Sequence, residues 1–233
     1  MVLTGAGMSA ESGVPTFREA QTGLWSRFRP EELATPEAFE ADPDTVWAWY
    51  EWRRELVARA EPHAGHRALA ELATLVPRLT LVTQNVDGLH ARAGSPDVVE
   101  FHGNLFANRC LPAGHDVAEI PRPCPTPPSC PVCGCLVRPG VVWFGEAIPE
   151  SALLRAMTAV GDCDAFLSVG TSSLVYPAAG LAHQAHAAGA MTVEINPEPT
   201  EFAALASFAV AAPAGHFLPA LVAELRATAA RRA

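Results

Sequence analysis

Gln84, Asn85 and Asp87 stand directly after an apolar, β-branched run at 79–83, and His102 follows a second short apolar run at 98–101. Runs of this kind read as buried strands. Polar residues just past a parallel strand's carboxyl end face the crevice in which open α/β sheets take their ligands. Two amides, a carboxylate and an imidazole in that place suit hydrogen bonding to a polar ligand plus one proton transfer. Taken singly, Gln84 and Asn85 would serve as helix caps and His102 as a surface histidine. Together, beside a glycine turn at 5–7, they read as a site.

A cation forms the second constellation. The helix expected over 43–60, opened by Asp42 and Pro43, carries Val46, Trp49, Tyr50, Leu56 and Val57 on one stripe at about 100° per residue. Arg53 falls near the centre of that stripe, while Glu51, Arg54 and Glu55 take the polar side. A guanidinium on an apolar face is costly to bury unless an anion meets it. Tyr50, one turn away on the same face, adds a hydroxyl. Snorkelling to solvent, or pairing with an internal carboxylate, is the competing use of such an arginine.

Thiols form the third. Five of the six cysteines lie between Cys110 and Cys135, in a proline-rich stretch that cannot build a core of its own. Cys130-Pro-Val-Cys133 has the spacing of a zinc knuckle, and clustered thiols fit a reducing compartment. Cys110 would supply a third ligand, but the residue three positions on, its usual partner, is Ala113. The fourth ligand is then Cys124 or His115, and Cys124 is the expectation carried forward. A zinc so held would be structural, one per chain, and closed to water.

These groups need a framework. Gly5-Ala6-Gly7 follows an apolar start, as a strand followed by a tight turn, and glycine there lets a phosphate approach backbone amides. The opening strand is short for its kind, so a few residues are expected upstream of it. Ser9, Glu11 and Ser12 offer caps for a short helix. Residues 15–36 hold Phe17, Arg18, Gly23 and Trp25 with little periodicity, as a cofactor-covering loop would. A helix is expected over 66–76, and an extended run at 141–146 reads as a core strand or an exposed edge. Strands at 165–170, 191–196 and 208–212 then alternate with helices at 177–188 and 218–226. Gly170-Thr171-Ser172 and Asn196-Pro197-Glu198 lie just past two of those strands. The alternation predicts an α/β fold with a doubly wound parallel sheet.

The chain's 233 residues, 49% hydrophobic and 18% charged, suffice for a large globular core. A net charge of −9 argues against a nucleic-acid partner. No apolar stretch reaches the roughly 18 residues of a membrane span, and no basic leader opens the chain. A cytoplasmic protein is expected. No heptad or long apolar edge asks for a partner copy, so a monomer is expected too.

Assembled, the motifs resemble those of the sirtuins, NAD-dependent protein-lysine deacylases. The resemblance rests on GAGMSAESGVPTFR at 5–18, TQNVDGLHARAG at 83–94, EFHGN at 100–104 and CPVCG at 130–134. It continues through VVWFGE at 141–146, VGTSSLVYPAA at 169–179 and EINPEP at 194–199. Tyr50 and Arg53 further resemble the Tyr-x-x-Arg pair of the branch that removes succinyl and malonyl groups. Ala113 and the short start are departures from the pattern.

The resemblance implies a Rossmann-like NAD domain from 1–24, 77–103 and 140–233. It also implies a smaller domain made by two insertions, helical at 25–76 and zinc-binding at 104–139, with acyl-lysine peptides bound between the two domains. By that analogy Gly5, Ala6, Gly7, Ala10, Glu11, Thr16, Phe17, Arg18 and Trp25 line the cofactor. Gln84, Asn85, Asp87, Gly170, Thr171, Ser172, Asn196, Pro197, Glu198 and Ala214 would complete that lining. Val142, Trp143, Phe144, Gly145 and Glu146, with Val175 and Tyr176, would flank the peptide as paired strands, and Tyr50 and Arg53 would meet the acyl tip. An amide oxygen is a poor nucleophile, so the reaction would draw on the reactivity of NAD itself, with nicotinamide as leaving group. Neutral His102 would serve as the base toward a ribose hydroxyl. Products would be nicotinamide, free lysine and O-acyl-ADP-ribose. The same frame would also serve an NAD-dependent dehydrogenase, which accumulates reduced nicotinamide, or a non-catalytic acyl-lysine or ADP-ribose binding module, indifferent to His102.

Overall fold

The computed structural model describes residues 1–15, 29–111, 113–118, 120–121 and 123–232. Thr16, Phe17, Arg18 and Trp25 lie outside the described residues. In chain order the strands are β1 (Val2–Thr4), β2 (Leu81–Thr83), β3 (Val98–Glu100), β4 (Gly103–Cys110), β5 (Val137–Val141), β6 (Ala165–Val169), β7 (Met191–Ile195) and β8 (Phe208–Val210). The helices are α1 (Gly7–Ala10), α2 (Pro30–Leu33), α3 (Pro36–Ala41), α4 (Pro43–Arg59), α5 (Ala64–Leu75), α6 (Leu89–Arg92), α7 (Glu150–Asp162), α8 (Ala178–Ala187) and α9 (Ala214–Arg232).

Six strands form one parallel sheet in the order β3-β2-β1-β6-β7-β8, the doubly wound arrangement expected from the alternation. Period-two alternation explains why both faces are covered. Leu3, Val82, Val99 and Phe166 point one way, onto Ala156 of α7 and Leu181 and Ala182 of α8. Val2, Leu81, Val169 and Ile195 point the other way, onto Leu69 and Leu72 of α5 and Leu218 and Val222 of α9. A strand buried on both faces reads as a continuous apolar run, which is how β1 and β2 look in the sequence. α5 packs on the sheet with α9, whereas α4 packs on β4 and β5.

The second unit is small. β4 and β5 pair antiparallel, Cys110 opposite Val137 and Gly103 opposite Val141, with an irregularity between Gly103 and Asn108. α4 packs on this ribbon through Trp49, Tyr50 and Val57 against Leu105, Val141 and Trp143, and through Trp47 against Cys110, Cys130 and Val137. Asp42 caps α4 by accepting from the Thr45 amide at 3.0 Å, as its position before Pro43 predicts.

Arg54 corrects the sequence reading. Expected on the polar side, it is 1% exposed. Its guanidinium donates to Leu105 O at 2.6 Å, Ala107 O at 3.1 Å and Asn108 Oδ1 at 2.8 Å, and it pairs with Glu51 at 2.7 Å. The irregular stretch of β4 leaves carbonyls that its ribbon partner does not satisfy, and Arg54 satisfies them. Arg54→Met should therefore destabilise the fold by about 2–3 kcal/mol, since buried acceptors lose a charged donor. The measure is a lower urea midpoint at an unchanged slope.

Candidate active site

The switch point of the sheet lies between β1 and β6, where the strand order reverses. There the two strand ends touch backbone to backbone. The Gly5 amide donates to Val169 O at 3.0 Å and the Gly7 amide to Gly170 O at 2.8 Å. Gly170 has φ +58°, and a Cβ on it would lie 2.3 Å from the Met8 nitrogen. Only glycine fits that contact.

Side chains from four strand ends meet around it. Gln84 donates to Thr171 Oγ1 at 3.0 Å, and Asn196 to Thr171 O at 3.2 Å. Asn85 donates to Gly5 O at 2.9 Å and Ser9 Oγ at 3.1 Å. Asp87 is buried and accepts from Ser9 Oγ at 2.7 Å and the Leu89 amide at 2.9 Å; burial raises its carboxyl pKa. Ser9, expected as a cap, thus lies inside α1 and ties it to Asp87, while α1 itself has no side-chain cap. Glu11 accepts from the Gly215 amide at 2.8 Å and so joins the same loop to the start of α9, next to buried Ala214. Ala6, Ser172, Pro197 and Glu198 are exposed on the loops that follow the strands, and Ala10 is exposed at the end of α1.

His102 is half-buried, and its Nδ1 lies 3.2 Å from Gln84 O. A carbonyl only accepts, so this contact places the ring proton on Nδ1 and leaves the Nε2 lone pair as the basic site. Burial lowers the imidazole pKa below 6.5, partly offset by that hydrogen bond.

Sequence reasoning missed the histidines behind the glycine turn. His63 Nδ1 accepts from the Gly65 amide, so its Nε2–H donates to Met8 O at 2.6 Å. His90 Nε2 contacts Thr4 Oγ1 at 2.9 Å, and the Thr4 hydroxyl donates to Thr83. His66 stacks between His63 and His90, with centroids 4.4 and 4.8 Å away, and burial pushes its pKa down to about 2. No local spacing pattern signals this stack, because His90 comes from a different βα unit.

On α4, Tyr50 is fully buried, and its hydroxyl accepts from Trp143 Nε1 at 2.8 Å. Burial raises the phenol pKa to about 12, so it stays protonated. The Arg53 guanidinium lies over the Trp49 ring at 4.9 Å and the Tyr50 ring at 5.7 Å. Burial disfavours its charge, and Tyr50 and Asp87 support it.

The Sir2 family model matches residues 5–177. The chain belongs to the Sir2 family. Among its Sir2 relatives is a protein from Ralstonia nicotianae named NAD-dependent protein deacylase, 53% identical over 224 residues, covering 96% of this chain and 90% of that one. A protein of the same name from Aquifex aeolicus is 52% identical over 207 residues, covering 88% and 86%. Among solved structures, a Sir2 homologue in complex with NAD superposes with a TM-score of 0.91 at 46% identity, covering 98% of this chain and 89% of that chain. A Sir2 homologue mutant in complex with 2′-O-acetyl ADP-ribose gives 0.89 at 46% identity, covering 97% and 91%.

This Sir2 chain departs from the sequence reading in the thiol cluster. The ligand atoms of Cys110, His115, Cys130 and Cys133 all lie within 4.8 Å of one another. His115 Nδ1 is 3.3 Å from Cys110 Sγ and 3.8 Å from Cys130 Sγ, and Cys133 Sγ is 3.6 Å from Cys110 Sγ. A tetrahedral zinc, with Zn–S about 2.3 Å and Zn–N about 2.0 Å, spaces its ligands by about 3.5–3.8 Å. The four residues fit it. Cys124 does not take part: its thiol donates to Thr126 O at 3.1 Å, and its carbonyl accepts from Trp47 Nε1 at 2.7 Å.

The 142–146 segment is a second departure. The strand ends at Val141, and the chain turns through Phe144 and Gly145, so no strand spans these residues. Trp143 is 2% exposed and packs with Phe39, Tyr50 and Leu105. Glu146 pairs with Arg138 and Arg109 and accepts from the Trp143 amide at 2.8 Å. Phe144, Val175 and Tyr176 are exposed, Tyr176 by 72%.

Proposed function

We propose that this chain is an NAD-dependent protein deacylase that takes acid-tipped acyl groups, succinyl and malonyl, from lysine side chains, and acetyl more weakly. The observation that carries the acyl preference is a protonated phenol beside a half-buried guanidinium, one turn apart on α4. A donor and a cation on one apolar wall suit a carboxylate and give nothing extra to a methyl group.

The glycine contact between Gly5, Gly7 and Gly170, with Thr171, Ser172 and Asn196 around it, would hold NAD at the switch point. Two buried hydroxyls on the flanking loops, Ser12 Oγ and Ser173 Oγ, have no hydrogen-bond partner among the described residues, and a ligand rich in phosphate and ribose oxygens suits them. When bound, NAD would supply an electrophilic ribose carbon with nicotinamide as leaving group; with one water consumed, the products would be nicotinamide, free lysine and O-acyl-ADP-ribose. Nε2 of His102 takes the proton of a ribose hydroxyl, and the Gln84 carbonyl keeps the opposite nitrogen protonated. The exposed side chains of Phe144, Val175 and Tyr176, which lie on turns or bends and not on the expected strands, would flank the acyl-lysine peptide. Cys110, His115, Cys130 and Cys133 would hold one structural zinc. Among the described residues no helix is long and apolar enough to cross a membrane. The chain works as a monomer in the cytoplasm on protein substrates, with no nucleic-acid partner.

The test is mass spectrometry of succinyl-, malonyl- and acetyl-lysine peptides incubated with and without NAD. In Arg53→Met the succinyl-to-acetyl ratio of kcat/KM should fall roughly 30- to 150-fold, the loss of about 2–3 kcal/mol from a desolvated charge partner. An equal loss on both peptides would remove the anion role. Growth of reduced nicotinamide absorbance would instead mark a dehydrogenase.

A further inference from the structure

We infer that Trp143 is a positioning residue for acyl selectivity: its indole N–H occupies the acceptor side of the Tyr50 hydroxyl and commits that hydroxyl to donating toward the acid tip. The inference rests on the acid-tip reading above.

The direction of the contact follows from chemistry. An indole nitrogen can only donate, whereas a phenol both donates and accepts. At 2.8 Å between Trp143 Nε1 and the Tyr50 oxygen, the tyrosine is therefore the acceptor. Its own hydrogen must point elsewhere, and no acceptor for it is found among the described residues. The same ring lies beneath the Arg53 guanidinium at 5.7 Å. A donor whose direction is preset and a cation thus stand together, the pair of features a carboxylate reads and an acetyl methyl does not.

Trp143 can hold this orientation because its ring is clamped. The Arg138 guanidinium carbon lies 3.2 Å from the ring centroid, and Phe39 packs on it with centroids 5.4 Å apart. Arg138 is in turn held by Glu146 and by Val141 O, the latter at 2.8 Å. Glu146 also accepts from the Trp143 amide at 2.8 Å, so backbone and ring are fixed by the same carboxylate. A phenylalanine at 143 keeps much of this packing and lacks the indole donor. Tyr50 could then turn its hydrogen inward, and its hydroxyl would no longer be committed to donating.

The experiment compares wild type, Trp143→Phe, Tyr50→Phe and the double variant on succinyl- and acetyl-lysine peptides at saturating NAD. The expected result is a rise of about fivefold in the succinyl KM relative to the acetyl KM in Trp143→Phe, the size of one neutral hydrogen bond, with the ratio of kcat values conserved. The double variant should be no more impaired than Tyr50→Phe alone, since the tryptophan acts through the tyrosine. Equal losses on both peptides, or losses that multiply in the double variant, would make Trp143 a packing residue only and overturn the inference. A wild type without acid-tip preference overturns the parent reading, and this one with it. Should Trp143→Phe fail to fold, the indole N–H resonance of wild type decides: it should move on binding succinyl peptide and not in Tyr50→Phe. An unmoved resonance in wild type overturns the inference.

Discussion

Replacing His102 with alanine should lower turnover about 10²- to 10⁴-fold while NAD still binds, the range attached to one positioned acid–base group. Among the described residues the imidazole has one hydrogen-bond partner, the Gln84 carbonyl at Nδ1, and that contact decides which nitrogen is basic. The pH dependence carries a sign. A base works in its neutral form, and burial lowers this pKa from 6.5, so the neutral form already dominates at pH 7. Activity limited by His102 should stay level above pH 7 and fall only as pH drops below about 6.5. Initial rates across pH, with calorimetric NAD titration of the variant, read both. Unchanged turnover in His102→Ala would leave a binding module or a contaminant as the explanation of any activity. A rate still rising above pH 7 would assign the base to another group.

The second large effect belongs to His115. His115→Ala should abolish the proposed zinc binding and lower the melting temperature by about 6–12 °C, as expected for a loss of about 3 kcal/mol in a chain of this size. Cys124→Ala should keep the metal, because that thiol is engaged with Thr126 O and stands outside the cluster. The reason for the large effect is local. Residues 111–136 join β4 to β5, and among the described residues there the small cluster of Trp47, Cys110, Cys130 and Val137 forms the buried core. A metal would close that loop, and the β4–β5 ribbon it stabilises carries Leu105 and Val141, against which Tyr50 packs. Metal content by mass spectrometry and thermal unfolding of the two variants test the assignment. Zinc retained in His115→Ala, or lost in Cys124→Ala, would return the fourth ligand to the cysteine. Cobalt substitution adds an independent reading, since the thiolate charge-transfer bands should match three sulfurs and grow in His115→Cys.

Much of this chain is legible because its signals are local. A glycine turn after a strand, polar residues after another, and a Cys-x-x-Cys knuckle are each complete within a few residues. Strand and helix periods, repeated in alternation, suffice for the doubly wound sheet found here. Arg53 and Tyr50 share a helix face for the same reason: one turn of α4 decides it.

Tertiary structure decided what depended on where a distant segment arrives. A helical wheel gives Arg54 an angle but not a neighbour; the irregular stretch of β4 supplies carbonyls that make a buried site for it. Spacing leaves Cys124 and His115 as rival ligands, and only the fold of the loop after Cys110 brings an imidazole, not the second thiol, among the three sulfurs. The run at 141–146 looks like one strand, yet Glu146 meets Arg138 and turns Trp143 inward onto Tyr50. Periodicity records which face of an element is apolar. It cannot record which side chain closes a gap left by another segment, because that energy exists only once the two have met.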